Sequence, residues 1–208
     1  MLAMAGCPDP QEQFDLFGER YKEIHGGGGG QGGTGGTGGT GGGGCVAPAE
    51  GVADGTYLFT LSAVLQPKTA FALDAQVTTV ADGDGLSVDL VLQPLSKTDQ
   101  MSPVGDPFSL TGLAVNADGT FDWDIGDMVT LIGDANPISP SDIETSLSLS
   151  GSLCAEPPDF FCGDANGIVQ APLPDFDLVG STFTFQKYEG TVPSPLINCA
   201  KDPAEYEE

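Results

Sequence analysis

Basic residues are scarce in this chain of 208 residues: six Lys and Arg stand against thirty Asp and Glu, for a formal net charge of −24. Beyond Cys45 the imbalance is four against twenty-five. Nucleic acid is thereby excluded as a partner, because counterion release from a phosphate backbone needs a clustered basic surface. Histidine is scarcer still. Its one copy, His25, borders a glycine tract, so the rest of the chain has no imidazole for general-base catalysis or metal ligation. Neither a Gly-x-Ser-x-Gly elbow nor a Gly-x-x-x-x-Gly-Lys-Ser/Thr loop occurs, which removes two common hydrolase and phosphate-binding signatures. Cys-x-x-Cys spacing is missing too, and no histidine follows Cys45, so zinc is set aside.

What the chain does have, beyond residue 44, is alternation. Tyr57, Phe59, Leu61, Ala63 and Leu65 alternate with Leu58, Thr60, Ser62 and Val64, and the same period of two runs through Phe71–Val77 and Leu86–Leu92. This is the pattern of strands with one face buried. Further strands are expected at 108–115, 120–125, 128–132, 143–153, 167–170 and 181–188. Asn116-Ala117-Asp118-Gly119 reads as a hairpin turn in which Asp118 and Gly119 supply left-handed conformations. No stretch there keeps a helical period. The expected fold is all-β, a single antiparallel β-barrel or β-sandwich of about eight or nine strands.

Residues 26–44 are of another kind. Fifteen of the thirty-one glycines fall there, interrupted only by Gln31, Thr34, Thr37 and Thr40. So little apolar surface cannot offset the entropy of ordering, which predicts a flexible linker with an r.m.s. span of roughly 24 Å. Before it, Asp9, Pro10 and Glu12 make a helix-start signature, and Phe14, Phe17, Tyr21 and Ile24 form one apolar stripe, so a short amphipathic helix is expected within 7–25.

At the very start, Met4-Ala5-Gly6-Cys7 resembles the lipobox of bacterial lipoproteins. The resemblance implies cleavage before Cys7, acylation of that cysteine and a cell-envelope address, with 1–6 a remnant of the signal peptide. Pro8 followed by Asp9 leans toward the outer membrane, with the domain in the periplasm or at the cell surface. Setting Cys7 aside leaves Cys45, Cys154, Cys162 and Cys199. These can pair in three ways, and spacing favours Cys154–Cys162 around the Pro-rich loop 155–161, with Cys45–Cys199 stapling the two ends of the folded region. The resulting organisation is an all-β domain at 45–199 and an acidic C-terminal tail at 200–208. The opening strand after Gly55 and the meander that follows it also resemble lipocalin-like barrels. That family's Gly-x-Trp is replaced by Gly55, Thr56 and Tyr57, so no ligand or binding residue is carried over.

Excess acid has a bland reading, solubility, and a sharper one, calcium held by loop carboxylates. The candidates are Asp82, Asp84 and Asp89; Asp118, Asp122, Asp124 and Asp127; and Asp164 with Asn166. Alternation with Phe121, Trp123 and Ile125 puts Asp122 and Asp124 on the solvent face of their strand, where they need no ion. Trp123 can be a sugar-stacking platform, though between Phe121 and Ile125 it reads as core. Phe160 and Phe161 either present an apolar edge on a braced loop, or Phe161 plugs the barrel end. No catalytic residue is identified. The expected function is therefore a lipid-anchored envelope protein whose β-domain is a binding or structural surface module for a protein or carbohydrate ligand, and a glycosidase-like enzyme using paired carboxylates is the alternative. Palmitate labelling with membrane fractionation checks the anchor: Cys7→Ser should abolish label and membrane association together, and retention of the mutant in the membrane fraction would refute acylation at Cys7.

Overall fold

The computed structural model describes residues 45–206; Cys7, the helix expected within 7–25 and the linker lie outside them. The described residues form β1 (Gly55–Ser62), β2 (Ala70–Asp82), β3 (Gly85–Pro94), β4 (Phe108–Val115), β5 (Thr120–Leu131), β6 (Ile143–Ser152), β7 (Phe160–Asn166), β8 (Ile168–Ala171), β9 (Phe176–Asp177) and β10 (Ser181–Lys187). All pair antiparallel in one curled sheet. The order is β4-β3-β2-β1-β10-β7-β6, with β5 on the far side of β6; β8 pairs the first part of β6 on the same side as β7, and β9 pairs β8. The all-β expectation holds.

The sheet's two outer strands are consecutive in sequence. β4 and β5 are not paired as strands, yet the turn between them draws the edges together at one end: Asn116 N–H donates to the Thr120 carbonyl at 2.9 Å, and the Trp123 indole donates to the Ala114 carbonyl at 2.9 Å. The sheet is thus a barrel-like wrap with a partly open seam. In the turn only Gly119 takes a positive φ, of +78°; Asp118 does not, and its carboxylate accepts from the Thr120 N–H and hydroxyl. A Cβ at Gly119 would lie 2.5 Å from Cys45 Sγ, so glycine is demanded by space as well as by conformation.

Inward-facing residues follow the period of two, and their sizes differ along the barrel. At the end bounded by the β4–β5 turn, Tyr57, Phe59, Phe121, Trp123, Phe161, Phe183 and Phe185 form one cluster. Phe161 stacks on Phe185 with ring centroids 4.4 Å apart, and Phe121 on Trp123 at 3.9 Å. Each buried ring is worth about 1.5–3 kcal/mol by area, and well-set ring pairs add about 0.5–1.5 kcal/mol. Gly151 makes room for them. A Cβ there would come within 3.0 Å of Phe121 Cζ and 3.1 Å of Phe183 Cζ.

Two sequence expectations need correction, and they are linked. Residues 120–125 and 128–132 are not separate strands but one, β5, bent by bulges near Gly126. Phe160–Asn166, read as loop, is β7, which pairs β6 on one side and β10 on the other. Strand pairing sets Cys162 opposite Ser152 on the outer face, since Phe161 points inward. Cys154 lies past the end of β6, where Ala155 N–H donates to the Val46 carbonyl at 2.8 Å. The disulfides are accordingly Cys45–Cys154, with Cα atoms 5.2 Å apart, and Cys162–Cys199, 5.4 Å apart, not Cys154–Cys162 and Cys45–Cys199. Their sequence separations of 109 and 37 residues correspond to about 4–5 kcal/mol each in the chain-entropy account.

The domain also runs past residue 199. Residues 188–206 form a strap over the outer face of β1, β2 and β10, where Tyr188 and Val192 cover Leu58, Ala72 and Leu95. Thr60 and Thr184 hydroxyls meet at 2.8 Å and both reach the Leu196 carbonyl. Beyond it Glu205 N–H donates to the Lys68 carbonyl at 2.7 Å, and the Tyr206 hydroxyl donates to that of Ala70 at 3.0 Å. Residues 200–206 are therefore part of the fold and not a free acidic tail.

The strap's tyrosines carry a pH signature. Tyr188, whose hydroxyl donates to Asp74 Oδ1 at 2.9 Å, is pushed up to about 12 by burial and then by Asp74. Tyr206 is pushed up to about 12 by burial, partly opposed by its backbone partner. A raised folded pKa gives stability that is complete below the unfolded value of about 10 and is lost as pH climbs through the folded one. Alkaline titration should therefore show tyrosinate absorbance from these two residues only towards pH 12, with resistance to denaturant falling over the same interval. Full ionisation near pH 10 in the folded protein would contradict the docked strap.

Candidate functional site

The barrel end opposite the aromatic cluster is not filled. There a cavity of about 240 Å³ opens among strand ends and loops. β1 and the loop after it supply Leu61, Ala63 and Leu65; β2 supplies Phe71; β5 and β6 supply Leu131, Ile143 and Thr145; the loop between them supplies Asn136, Ile138, Ser139 and Ser141. Val169, Pro172, Leu173, Phe176 and Leu178 close the remaining side. A pocket of about 20 Å³, sharing Leu61 and Leu131 with it, continues inward to Phe59, Leu92 and Phe108. No Asp, Glu, His, Cys, Lys or Arg stands in either wall.

The polar groups at the cavity are mostly spent on one another. Asn136, 1 % exposed, donates through Nδ2 to Ser139 Oγ at 2.9 Å and the Ser141 carbonyl at 2.8 Å, while its Oδ1 accepts from the N–H groups of Ile138 and Ser139. Thr145 donates to the backbone carbonyls of Ser146 and Ile168. Loop 132–142 is pinned from outside as well: Asp142 Oδ1 accepts from Gly133 N–H at 2.7 Å, and Lys97 Nζ donates to the Gly133 carbonyl at 2.7 Å. The wall is thus preformed by hydrogen bonds, and the surface it turns to the cavity is apolar.

The residues singled out from sequence lie elsewhere. Trp123 is core, stacked on Phe121, and offers no face to a sugar. Phe161 belongs to the aromatic cluster, whereas Phe160 faces outward with Lys201 Nζ 4.3 Å from its ring centre. Among the described residues no three His, Cys, Asp or Glu side chains come together to hold a metal ion. The calcium candidates have other tasks or stand apart. Asp89 accepts from Gly112 N–H at the β3–β4 bulge, Asp124 from Gly126 N–H at the β5 bulge, and Asp118 from Thr120 in the hairpin. The Thr120 hydroxyl and N–H lower the Asp118 pKa. Asp82 and Asp84 are exposed in the β2–β3 turn, with Asp122 and Asp127 exposed on β5. Asp99, in the β3–β4 loop, is lowered to about 2 by the Ser102 hydroxyl and then by backbone N–H groups of Ser102 and Met101, an ordinary loop cap.

No family model, no curated protein and no solved structure matches the chain. The site therefore stands on its geometry alone. Removing the Asn136 amide tests whether it holds the wall: Asn136→Ala strands two half-buried N–H groups and should cost about 1–3 kcal/mol, read as a lower denaturant midpoint at unchanged slope. A midpoint equal to wild type would show that the wall does not need it.

Proposed function

We propose that the β-domain is a binding module for small apolar molecules, carried in the cell envelope by a lipid on Cys7. The observation that carries the first half is the apolar cavity at one end of the sheet, with a preformed wall. An engineered cavity of about 150 Å³ takes benzene, and sites for drug-sized ligands run to about 300–1,000 Å³. A volume of about 240 Å³ suits a compact ring compound or the end of a longer apolar chain. Water has few partners there, so an apolar occupant displaces solvent at little polar cost. The glycosidase alternative loses support on the same ground, since hydrolysis needs two carboxyl groups facing one another across a cleft and these walls have none. The lipid anchor rests on Met4-Ala5-Gly6-Cys7, on the glycine linker, and on the four remaining cysteines being used in two disulfides.

Titration with an uncharged naphthylamine dye tests the cavity. Wild type should bind it at one site with enhanced emission, and Val169→Trp, which fills the space from β8, should weaken binding at least about tenfold, roughly 1.4 kcal/mol. Equal binding by the filled variant, with its fold intact by circular dichroism, would count against the cavity as the site.

A further inference from the structure

We infer that the cavity takes one unbranched alkyl chain, threaded end-on along the barrel, in preference to a compact ring compound; the inference rests on the binding reading above. The route runs from exposed to buried residues. Pro172 and Leu173 stand exposed at the opening, and Leu61 and Leu131 are buried at its inner end. Those two leucines also line the smaller pocket. On β2, β5 and β6 the lining of the second space follows that of the first at the next inward position: Phe71 gives way to Leu73, Leu131 to Val129, and Thr145 to Leu147 and then Leu149. The two spaces are therefore in line along the strands and not side by side. From Ile143 to Leu149 on β6 this line runs roughly 20 Å, at about 3.3 Å per residue. Its inner part is narrow. A volume of about 20 Å³ is little more than the roughly 10–15 Å³ that one water requires, so a methyl or methylene group enters it and a ring does not. Every side chain around it is apolar, which makes hydrocarbon the only deep end without a desolvation penalty. Leu61 and Leu131 stand between the spaces and part by a change of rotamer, with no movement of the paired backbone. A chain end passes between them, whereas a ring stops above them.

Displacement of the bound naphthylamine dye by hexanol, octanol and decanol tests this. Each step of two methylenes should tighten binding about fifteenfold, the ratio that corresponds to about 0.8 kcal/mol per buried methylene. Val129→Ile, which fills the smaller pocket from β5, should weaken decanol at least about fourfold and leave hexanol and the dye unchanged; Leu147→Phe, from β6, should do the same. Decanoyl lysophosphatidylcholine run beside decanol identifies the source of the chain: displacement by both admits a membrane lipid, displacement by decanol alone a free amphiphile, and each supports threading. A gain that ends at hexanol, or decanol bound equally by wild type and by both variants with their folds intact by circular dichroism, overturns threading while leaving the cavity as the binding site. Failure of the dye and all three alcohols to bind removes the binding reading itself, and the threading with it.

Discussion

Phe161 lying flat on Phe185, with Tyr57 and Trp123 turned edge-on to the pair, determines how the interior of the curled sheet is divided. Large rings fill the width of the barrel at one end so fully that β6 must present Gly151 to them. Towards the other end the inward residues of β1, β5, β6 and β8 shrink to Leu61, Leu131, Ile143, Thr145 and Val169, and with Phe71 and Phe176 as the rings lining that end they do not span the same width. A sheet of one circumference with side chains of two sizes is packed solid at one end and hollow at the other. The cavity is a result of that inequality and of the loop that Asn136 organises over it.

Strands were legible wherever their two faces differ in polarity. β1, β2 and β3 carry an unbroken period of two, and the turn residues between them coincide with Gly83 and the Gln66–Thr69 segment. β7 was not legible, because its inward positions read Phe161, Gly163, Ala165: the glycine that lets β6 and β7 lie close removes the apolar signal that would reveal the strand. Missing that strand also misled the disulfide pairing. Cys154 and Cys162 are close in sequence, but each is steered by a different neighbour, the N-terminal segment in one case and the C-terminal strap in the other.

The cavity could not be read in advance for a related reason. Its wall is assembled from several separate stretches, and Leu61 or Val169 obeys the same alternation whether it meets a ring or an open space. Only the relative bulk of residues across the barrel distinguishes core from cavity, and that depends on register. Trp123, by contrast, was legible as core because Phe121 and Ile125 share its face. The acidic residues were legible in number but not in role: Asp89, Asp118 and Asp124 each cap a bulge or turn through backbone N–H groups, an arrangement that needs no ion.

The chain enters the domain at Cys45, beside the β4–β5 turn and the end of β6, where Ala47 N–H donates to the Ala117 carbonyl at 3.0 Å and Cys45 is bonded to Cys154. That is the solid end. The mouth of the cavity, at Leu131 and Ile143, lies at the other end of β5 and β6. Chain entry and cavity mouth thus lie at opposite ends of the described domain, and the entering chain is joined by a covalent bond to its best-packed layer.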